Sequence, residues 1–133
     1  MLDTSVAIDL LGPDSVWSEW AVATVEDRLY KGAIFLNLVV LAELFAGRQP
    51  ERVRQQLLDW EFAVDPMDEA IARRAGAAQR DYRNRGGPHK AVIADFLIGA
   101  HAAVRGAPLI TRDRIRFASY FPELTLITPE TQS

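Results

Sequence analysis

Apolar residues recur along the chain in two spacings, which predict alternating helices and strands. Short apolar runs bounded by Gly, Pro or polar residues predict strands, and apolar residues three and four positions apart predict helices. The predicted strands span residues 1–3, 33–38, 61–64, 108–111 and 124–128. The predicted helices span residues 4–11, 15–30, 40–46, 50–60, 66–85, 92–104 and 115–120. This alternation predicts a single α/β domain, residues 1–133, whose mainly parallel sheet has helices on both faces.

Three predicted helix starts carry residues that favour N-caps. Thr4 or Ser5 can cap the first helix, and Asp14 precedes the second. Asp65 stands before Pro66, and proline suits the first position of a helix because its missing N–H is not needed there. We therefore expect the helix that reaches residue 85 to begin at this Asp-Pro pair.

The composition excludes several classes of protein and site. The chain has 133 residues, 49% of them hydrophobic and 25% charged, which is typical of one folded domain. The absence of cysteine excludes disulfides, thiolate metal sites and cysteine nucleophiles. No apolar run approaches the roughly 20 residues that a membrane helix needs. The N-terminus also lacks the features of a secretory signal, so we expect a soluble cytoplasmic protein.

Charge is distributed unevenly between the two halves of the chain. The first 70 residues carry 13 acidic and 5 basic residues, whereas the remaining 63 carry 5 acidic and 10 basic residues. This asymmetry suggests one face for an anionic partner. Two ordinary solvated surfaces are the alternative explanation.

Four acidic residues stand where the apolar pattern predicts buried positions. Each lies at the carboxyl end of a predicted strand or on the helix that follows one, the edge where open α/β sheets build their binding sites. Glu43 is the only charged residue of positions 34–47, and Asp95 is the only one of positions 91–104. The four residues are Asp3, Glu43, Asp95 and Asp113.

Each of these acids has a structural explanation when it is taken alone. Asp3 could cap the first helix, Glu43 could pair with Arg48, and Asp95 could favour the positive end of its helix. Four carboxylates at one sheet edge, however, would repel each other, and burying an ionised carboxylate costs several kcal/mol. A divalent cation is the more economical counter-charge, and carboxylate oxygens suit Mg²⁺ or Mn²⁺.

Two hydroxyl residues lie close in sequence to these acids. Ser5 follows Asp3 by two positions, and Thr111 precedes Asp113 by two. Their side chains could orient a carboxylate or a water molecule. Capping of a helix or a turn is the alternative role, particularly for Ser5.

The segments DTSVAIDLL, LAEL, ADFLIGAHA and PLITRDRIRF, in this order, resemble the PIN-domain ribonucleases, in particular the VapC-like toxins of type II toxin–antitoxin pairs. The resemblance covers nearly the whole chain, although residues 48–85 contain no motif. It implies an α/β/α sandwich and a Mg²⁺- or Mn²⁺-dependent endoribonuclease that forms a homodimer. It also implies a cognate antitoxin, whose C-terminal segment covers the active site.

The resemblance also assigns roles to individual residues. It implies that Asp3, Glu43, Asp95 and Asp113 are the catalytic metal ligands and that Thr111 is the catalytic hydroxyl beside the fourth acid. Arg112 and Arg114 flank Asp113, so we predict that they contact RNA phosphates, and Ser5 is a further candidate for substrate binding.

The remaining polar residues are predicted to be structural. Asp9 lies two helical turns from Asp3, and we predict that it is solvated or paired along its own helix. His101 is predicted to pack inside its helix layer and His89 to lie in a loop, because their spacing does not match a zinc site.

Two other functions remain open on the sequence alone. A non-catalytic RNA- or protein-binding module on the same fold would bind RNA without turnover and without divalent ions. A PIN-type nuclease of RNA processing would cleave RNA but would not arrest growth when it is expressed alone.

Overall fold

Seven helices and four short strands alternate in the computed structural model, which describes residues 1–88 and 93–129. The helices are α1 Thr4–Leu11, α2 Ser18–Lys31, α3 Leu38–Phe45, α4 Pro50–Asp59, α5 Glu69–Asn84, α6 Ile93–Arg105 and α7 Arg114–Tyr120. The strands are β1 Phe35–Leu36, β2 Ala63–Val64, β3 Leu109–Ile110 and β4 Leu126–Ile127. No helix in these ranges is both long and apolar enough to cross a membrane.

The first three residues join two pairs of parallel strands. β1 pairs with β2, and β3 pairs with β4. Leu2 forms a parallel bridge with Ile110 of β3, and its N–H donates to the carbonyl oxygen of Phe35 in β1 at 3.1 Å. The spatial order is therefore β2, β1, residues 1–3, β3 and β4.

This order contains a point where the chain reverses the direction in which it adds strands. From residues 1–3 it adds β1 and β2 on one side, and then it crosses back to add β3 and β4 on the other. Open α/β sheets bind ligands at the carboxyl ends of the strands beside such a switch point. Here the two residues at those ends are Asp3 and Thr111.

Apolar side chains pack against the sheet in two clusters. Leu2 and Ile110 belong to a cluster with buried residues of α1 and α2, such as Val6 and Val25. Their sequence neighbours Met1 and Leu109 belong to the larger cluster, which contains buried residues of α3, α5, α6 and α7 together with Ala7 and Leu11 of α1. This alternation along the strands is expected because successive side chains point to opposite faces of a sheet. It fixes the register in which Asp3 and Thr111 meet.

Two predicted helix starts, those of α2 and α5, are wrong because other hydrogen bonds prevail. The helix α1 begins at Thr4 as predicted, and among its candidate caps it is Asp3 whose side chain accepts the N–H of Thr4 at 2.8 Å. The N-cap of α2 is Trp17 and not Asp14. The serine hydroxyl at position 18 accepts the N–H of residue 15 at 2.8 Å and closes the preceding turn.

The predicted start of α5 at Asp65-Pro66 is wrong by three residues. Asp68 caps the helix by accepting the N–H of Ile71 at 3.0 Å. The carboxylate of Asp65 instead accepts hydrogen bonds from His101 at 2.6 Å and from Arg105 at 2.7 Å. The carboxylate of Asp65, which the local sequence pattern predicted to be a helix cap, thus belongs to a polar cluster with residues distant in the chain. Residue 92, the predicted start of α6, and His89 lie outside the described residues.

Candidate active site

Asp3 is a buried carboxylate at the centre of the sheet edge. The residue is 6% exposed. Its carboxylate accepts hydrogen bonds from the Thr4 N–H, the Ser5 hydroxyl at 3.3 Å and the Thr111 hydroxyl at 2.7 Å. Burial raises the pKa of Asp3 above its ordinary value, and the negative charge of Asp95 raises it further, while these hydrogen bonds lower it. The ionised form of Asp3 is therefore less stable here than that of an aspartate in water.

Thr111 connects Asp3 to Asp113. Its buried hydroxyl donates to Asp3 Oδ2 and accepts the N–H of Asp113 at 3.0 Å. Asp113 then caps α7, because its Oδ1 accepts the N–H of Arg116 at 3.2 Å. The Thr111 hydroxyl thus fixes both the carboxylate of Asp3 and the loop that follows β3.

Thr4 connects Asp3 to Glu43 from the other side. While the N–H of Thr4 donates to Asp3, its hydroxyl donates to Glu43 Oε1 at 2.7 Å. The apolar pattern predicted buried positions for the four acids, but Glu43 lies at an exposed position of α3 and Asp113 is also exposed. The predicted pairing of Glu43 with Arg48 is replaced by this contact between α3 and α1.

Asp95 reaches the site from the first turn of α6. It is half-buried and forms an ion pair with Arg116 of α7, with 2.5 Å between Oδ2 and Nη1. Its charge raises the pKa of Asp3, so the two carboxylates lie within electrostatic range of each other. Among the described residues, Asp95 alone of the four predicted acids forms an ion pair.

The structure therefore brings the four acids around one hydrogen-bonded network through Thr4, Thr111 and Arg116. In the described part of the chain, no three histidine, cysteine or carboxylate side chains are placed so that they could hold one metal ion together. The donors nevertheless suit Mg²⁺ or Mn²⁺ in their chemistry, because all of them are hard carboxylate and hydroxyl oxygens. Their role as metal ligands stays a prediction.

The residues predicted to bind substrate have different surroundings. Ser5 contacts Asp3 directly, and Arg114 is exposed, with Nη1 3.4 Å from the Thr128 hydroxyl. Arg112 donates from Nε to Asp9 Oδ2 at 2.7 Å, and its guanidinium lies over the ring of Trp17, 5.4 Å from the centroid. The contact of Arg112 and Arg114 with RNA stays a prediction.

The prediction that Asp9 is solvated or paired along its own helix is wrong. Asp9 is only 5% exposed and pairs with Arg112 from the loop after β3. Helix periodicity contained the signal, because Asp9 is the one charged residue of α1 and interrupts its apolar run. Thr4 and Arg116 also belong to the network, and no sequence pattern marked them as part of it.

His101 forms a second polar cluster as a buried residue of α6, as predicted. Its Nε2 lies 2.6 Å from Asp65 Oδ2, and its Nδ1 lies 3.2 Å from Asn37 Nδ2. The amide of Asn37 can only donate from that nitrogen, which favours the neutral tautomer with hydrogen on Nε2. The bond from His101, followed by that from Arg105, lowers the pKa of Asp65. The cluster ties β1 and β2 to α6.

An open groove of about 460 Å³ adjoins the site between α1, α3 and α4. Its apolar lining includes Ile8, Leu11 and Leu44, and Arg48 and Arg52 add positive charge. Glu43 belongs both to this groove and to the acidic network. A molecule in the groove would therefore lie next to the candidate active site.

Comparison with known proteins gives the chain a family context. The model of the family described as PIN domain matches residues 1–120. Ribonuclease VapC10 of Mycobacterium tuberculosis, from either of two strains, is 34% identical over 113 residues, which cover 84% of this chain and 80% of that protein.

Solved structures share the fold at lower sequence identity. VapBC2 from Rickettsia felis, bound to a DNA fragment from its promoter, has a TM-score of 0.74 at 22% identity over 96% of both chains. A toxin–antitoxin complex from Klebsiella pneumoniae has a TM-score of 0.70 at 24% identity, covering 96% of this chain and 95% of that one. These similarities support the α/β fold described above.

Proposed function

The chain belongs to the PIN-domain family, and on this premise we propose that it is a divalent-metal-dependent endoribonuclease and the toxin of a toxin–antitoxin pair. The proposed reaction is hydrolysis of an RNA phosphodiester bond by an activated water molecule. The observation that carries the proposal is the acidic network at the switch point of the sheet. Within it Asp3 is buried, and its pKa lies above the ordinary value of an aspartate.

The charge balance of this network supports binding of a cation. Arg116 pairs with Asp95, but the other three acids have no ion pair among the described residues. Buried Asp3 accepts three hydrogen bonds and still has a raised pKa, so hydrogen bonding does not fully offset its burial. A divalent ion is the counter-charge that would stabilise several carboxylates at once.

We assign the chain's own groups as follows. Asp3, Glu43, Asp95 and Asp113 would hold Mg²⁺ or Mn²⁺, and a bound ion would supply positive charge to the scissile phosphate and lower the pKa of an attacking water. Thr111 and Ser5 orient the carboxylate of Asp3 through their hydroxyls. Exposed Arg114, next to Asp113, would contact an RNA phosphate.

The identity of the substrate and of the partner rests on the relatives. The name of the 34% identical protein supports RNA as the substrate. The toxin–antitoxin complexes among the structures of the same fold support an antitoxin as the partner. We propose that a helix of the antitoxin binds the groove beside Glu43, with its apolar face on Leu11 and Leu44 and its acidic residues near Arg48.

A homodimer is also part of this proposal. Leu38, Ala42 and Phe45 are exposed at spacings of three and four residues, so they form an apolar stripe along α3. An exposed apolar stripe of this kind is typical of an interface. A second copy of the chain would cover this stripe.

Cleavage of RNA by the purified chain tests the proposed activity. We expect cleavage in Mg²⁺ or Mn²⁺, none in excess EDTA, and none of double-stranded DNA of the same sequence. RNA binding without turnover, or full cleavage in EDTA, would contradict the mechanism.

Expression in cells tests the assignment as a toxin. We expect cytoplasmic expression of the chain alone to arrest growth and co-expression of the antitoxin to restore it. Normal growth together with metal-dependent cleavage in vitro would instead favour an RNA-processing nuclease.

A further inference from the structure

We propose that the ion pair of buried Asp9 and half-buried Arg112 is a positioning device for the candidate active site. The pair ties α1 to the loop that follows β3, and this loop carries both Thr111 and Asp113. The inference rests on the proposed nuclease function and gives Arg112 a role other than direct contact with RNA.

The ion pair has well-defined geometry on both sides. Arg112 Nε lies 2.7 Å from Asp9 Oδ2, and Nη2 lies 3.4 Å from Oδ1. The Asp9 side chain is 4% exposed, whereas that of Arg112 is 32% exposed. Asp9 Oδ1 also accepts the hydroxyl of Ser15 at 3.2 Å. Both carboxylate oxygens are therefore hydrogen-bonded, as a buried charge requires.

Trp17 restricts the guanidinium further. The Arg112 guanidinium carbon lies 5.4 Å from the centroid of the Trp17 ring, within the range of a cation–π contact. The guanidinium of Arg112 is therefore held by hydrogen bonds to Asp9 along one edge and by the Trp17 indole against one face. Two of its five N–H groups are already used, so its freedom to follow an RNA phosphate is reduced.

Arg112 lies between two residues of the candidate active site, so its ion pair affects the position of both. The preceding residue, Thr111, donates its hydroxyl to Asp3, and the following residue, Asp113, caps α7. Asp9 lies in α1, the helix that Asp3 itself caps. The ion pair thus connects the two segments that supply Asp3 and Asp113, at a second point beyond the Thr111 hydrogen bond. Loss of the pair would let the loop shift relative to Asp3.

Such a shift affects function more than its size suggests. Displacement of a catalytic group by about 1 Å can cost about 100-fold in rate. Removal of a group that orients metal ligands typically costs about 10- to 100-fold in metal affinity or activity. We therefore expect defects in divalent-ion affinity and in the chemical step, and not in the affinity for RNA phosphates.

The experiment compares Asp9→Asn and Arg112→Lys with the wild-type chain and with Asp27→Asn as a control. The control removes the charge of an exposed ion pair on α2, where Lys31 Nζ lies 3.1 Å from Asp27 Oδ2. Two properties are measured below the unfolding temperature of every variant: Mn²⁺ affinity by calorimetry, and the single-turnover rate of RNA cleavage at saturating RNA. The salt dependence of KM is measured alongside.

We expect Asp9→Asn and Arg112→Lys to lower Mn²⁺ affinity and the single-turnover rate by about 10- to 100-fold each. The slope of log KM against log salt should stay unchanged in both variants and in the control. Wild-type ion affinity and rate in Asp9→Asn would overturn the inference. In Arg112→Gln, which removes the charge that Arg112→Lys keeps, a change of about 0.7 in the salt slope with an unchanged rate would also overturn it, because that change marks the loss of one phosphate contact on single-stranded RNA.

A double variant separates positioning from a general loss of stability. Asp9→Leu combined with Arg112→Met replaces the ion pair by apolar groups of similar size, which often preserves stability. The inference predicts a wild-type unfolding temperature with reduced ion affinity and rate. Recovery of all three properties would overturn it. Absence of metal-dependent cleavage by the wild-type chain would instead reject the proposed function itself.

Discussion

Replacement of Thr111 by valine removes the hydroxyl that joins Asp3 to Asp113 and keeps the shape of the side chain. The lost hydrogen bond to the Asp3 carboxylate, 2.7 Å long and buried, is of the charge-assisted kind, for which about 1.5–3 kcal/mol is typical. The N–H of Asp113 also loses its acceptor at 3.0 Å, which adds about 0.5–1 kcal/mol because that group is only partly buried. We therefore expect Thr111→Val to lower the free energy of unfolding by about 2–4 kcal/mol.

Thermal unfolding by circular dichroism at pH 7 without divalent ions measures this loss. At roughly 4 °C per kcal/mol for a domain of this size, the expected decrease in Tm is about 8–16 °C. Thr111→Ser is the matched control, because it keeps the hydroxyl and removes one methyl group at a cost of about 1 kcal/mol. A Tm for Thr111→Val equal to or above that of Thr111→Ser would refute the role of this hydroxyl.

The same variant tests the link from the hydroxyl to the acid. The Thr111 hydrogen bond lowers the pKa of Asp3 and also orients its carboxylate. Because Asp3 is a proposed metal ligand, loss of this orienting group should lower RNA cleavage by Thr111→Val at least about tenfold. Thr111→Ser should keep most of the activity. Equal rates for the two variants would contradict the proposed function of the network.

Three further changes have distinct expected results. Arg116→Met should lower the Tm in EDTA but raise Mn²⁺ affinity severalfold in calorimetry, because the guanidinium competes with a cation for Asp95 Oδ2; weaker ion binding would contradict this. Asp65→Asn should lower the Tm at pH 7, and the difference from wild type should shrink as the pH falls below 3.8, because a carboxyl whose pKa is lowered on folding stabilises the fold only while it is ionised. A Tm difference that grows at low pH would exclude this explanation. Phe45→Glu should halve the mass measured by light scattering, whereas an unchanged dimer would remove α3 from the interface.

The local pattern was sufficient for the order and type of the elements. Apolar spacing places every helix of the described chain within a few residues of its observed bounds. Four of the five predicted strands are present in shorter form, and the fifth, residues 1–3, forms only an isolated bridge at Leu2. The acids at the sheet edge could be recognised because some of them, such as Glu43 and Asp95, are the only charged residues in an otherwise apolar stretch of sequence. That signal is local and needs no knowledge of the fold.

The pairings between distant residues could not be predicted in this way. Asp9 and Arg112 lie 103 positions apart, and Asp65 and His101 lie 36 apart, so only the folded chain brings them together. The same pairings explain the wrong assignments, since Asp65 was taken as a cap and Asp9 as a solvated residue. A buried carboxylate is stable where a partner meets it, and the partner belongs to tertiary structure.

The acidic network itself shows both situations. Asp3 has a local role as the cap of α1 and a long-range role as the acceptor of the Thr111 hydroxyl. The sequence offered the cap as the alternative to a place in the acidic cluster, and it linked Thr111 to Asp113 and not to Asp3. In the structure one carboxylate caps α1 through Oδ1 and accepts the Thr111 hydroxyl through Oδ2. The ion pair of Arg116 with Asp95 joins residues 21 positions apart, on α7 and α6, so only the folded chain brings them together.

The rate of divalent-ion-dependent RNA cleavage by Asp3→Asn and Asp95→Asn tests the central claim most directly. Both changes remove one negative charge from the network and nearly preserve side-chain shape, and Asp27→Asn makes the same change at an exposed position of α2. We predict that the first two variants fold but lose cleavage in Mg²⁺ and Mn²⁺ by at least about 100-fold, while the third keeps the wild-type rate. Wild-type cleavage by folded Asp3→Asn or Asp95→Asn would contradict the assignment of the active site to this sheet edge.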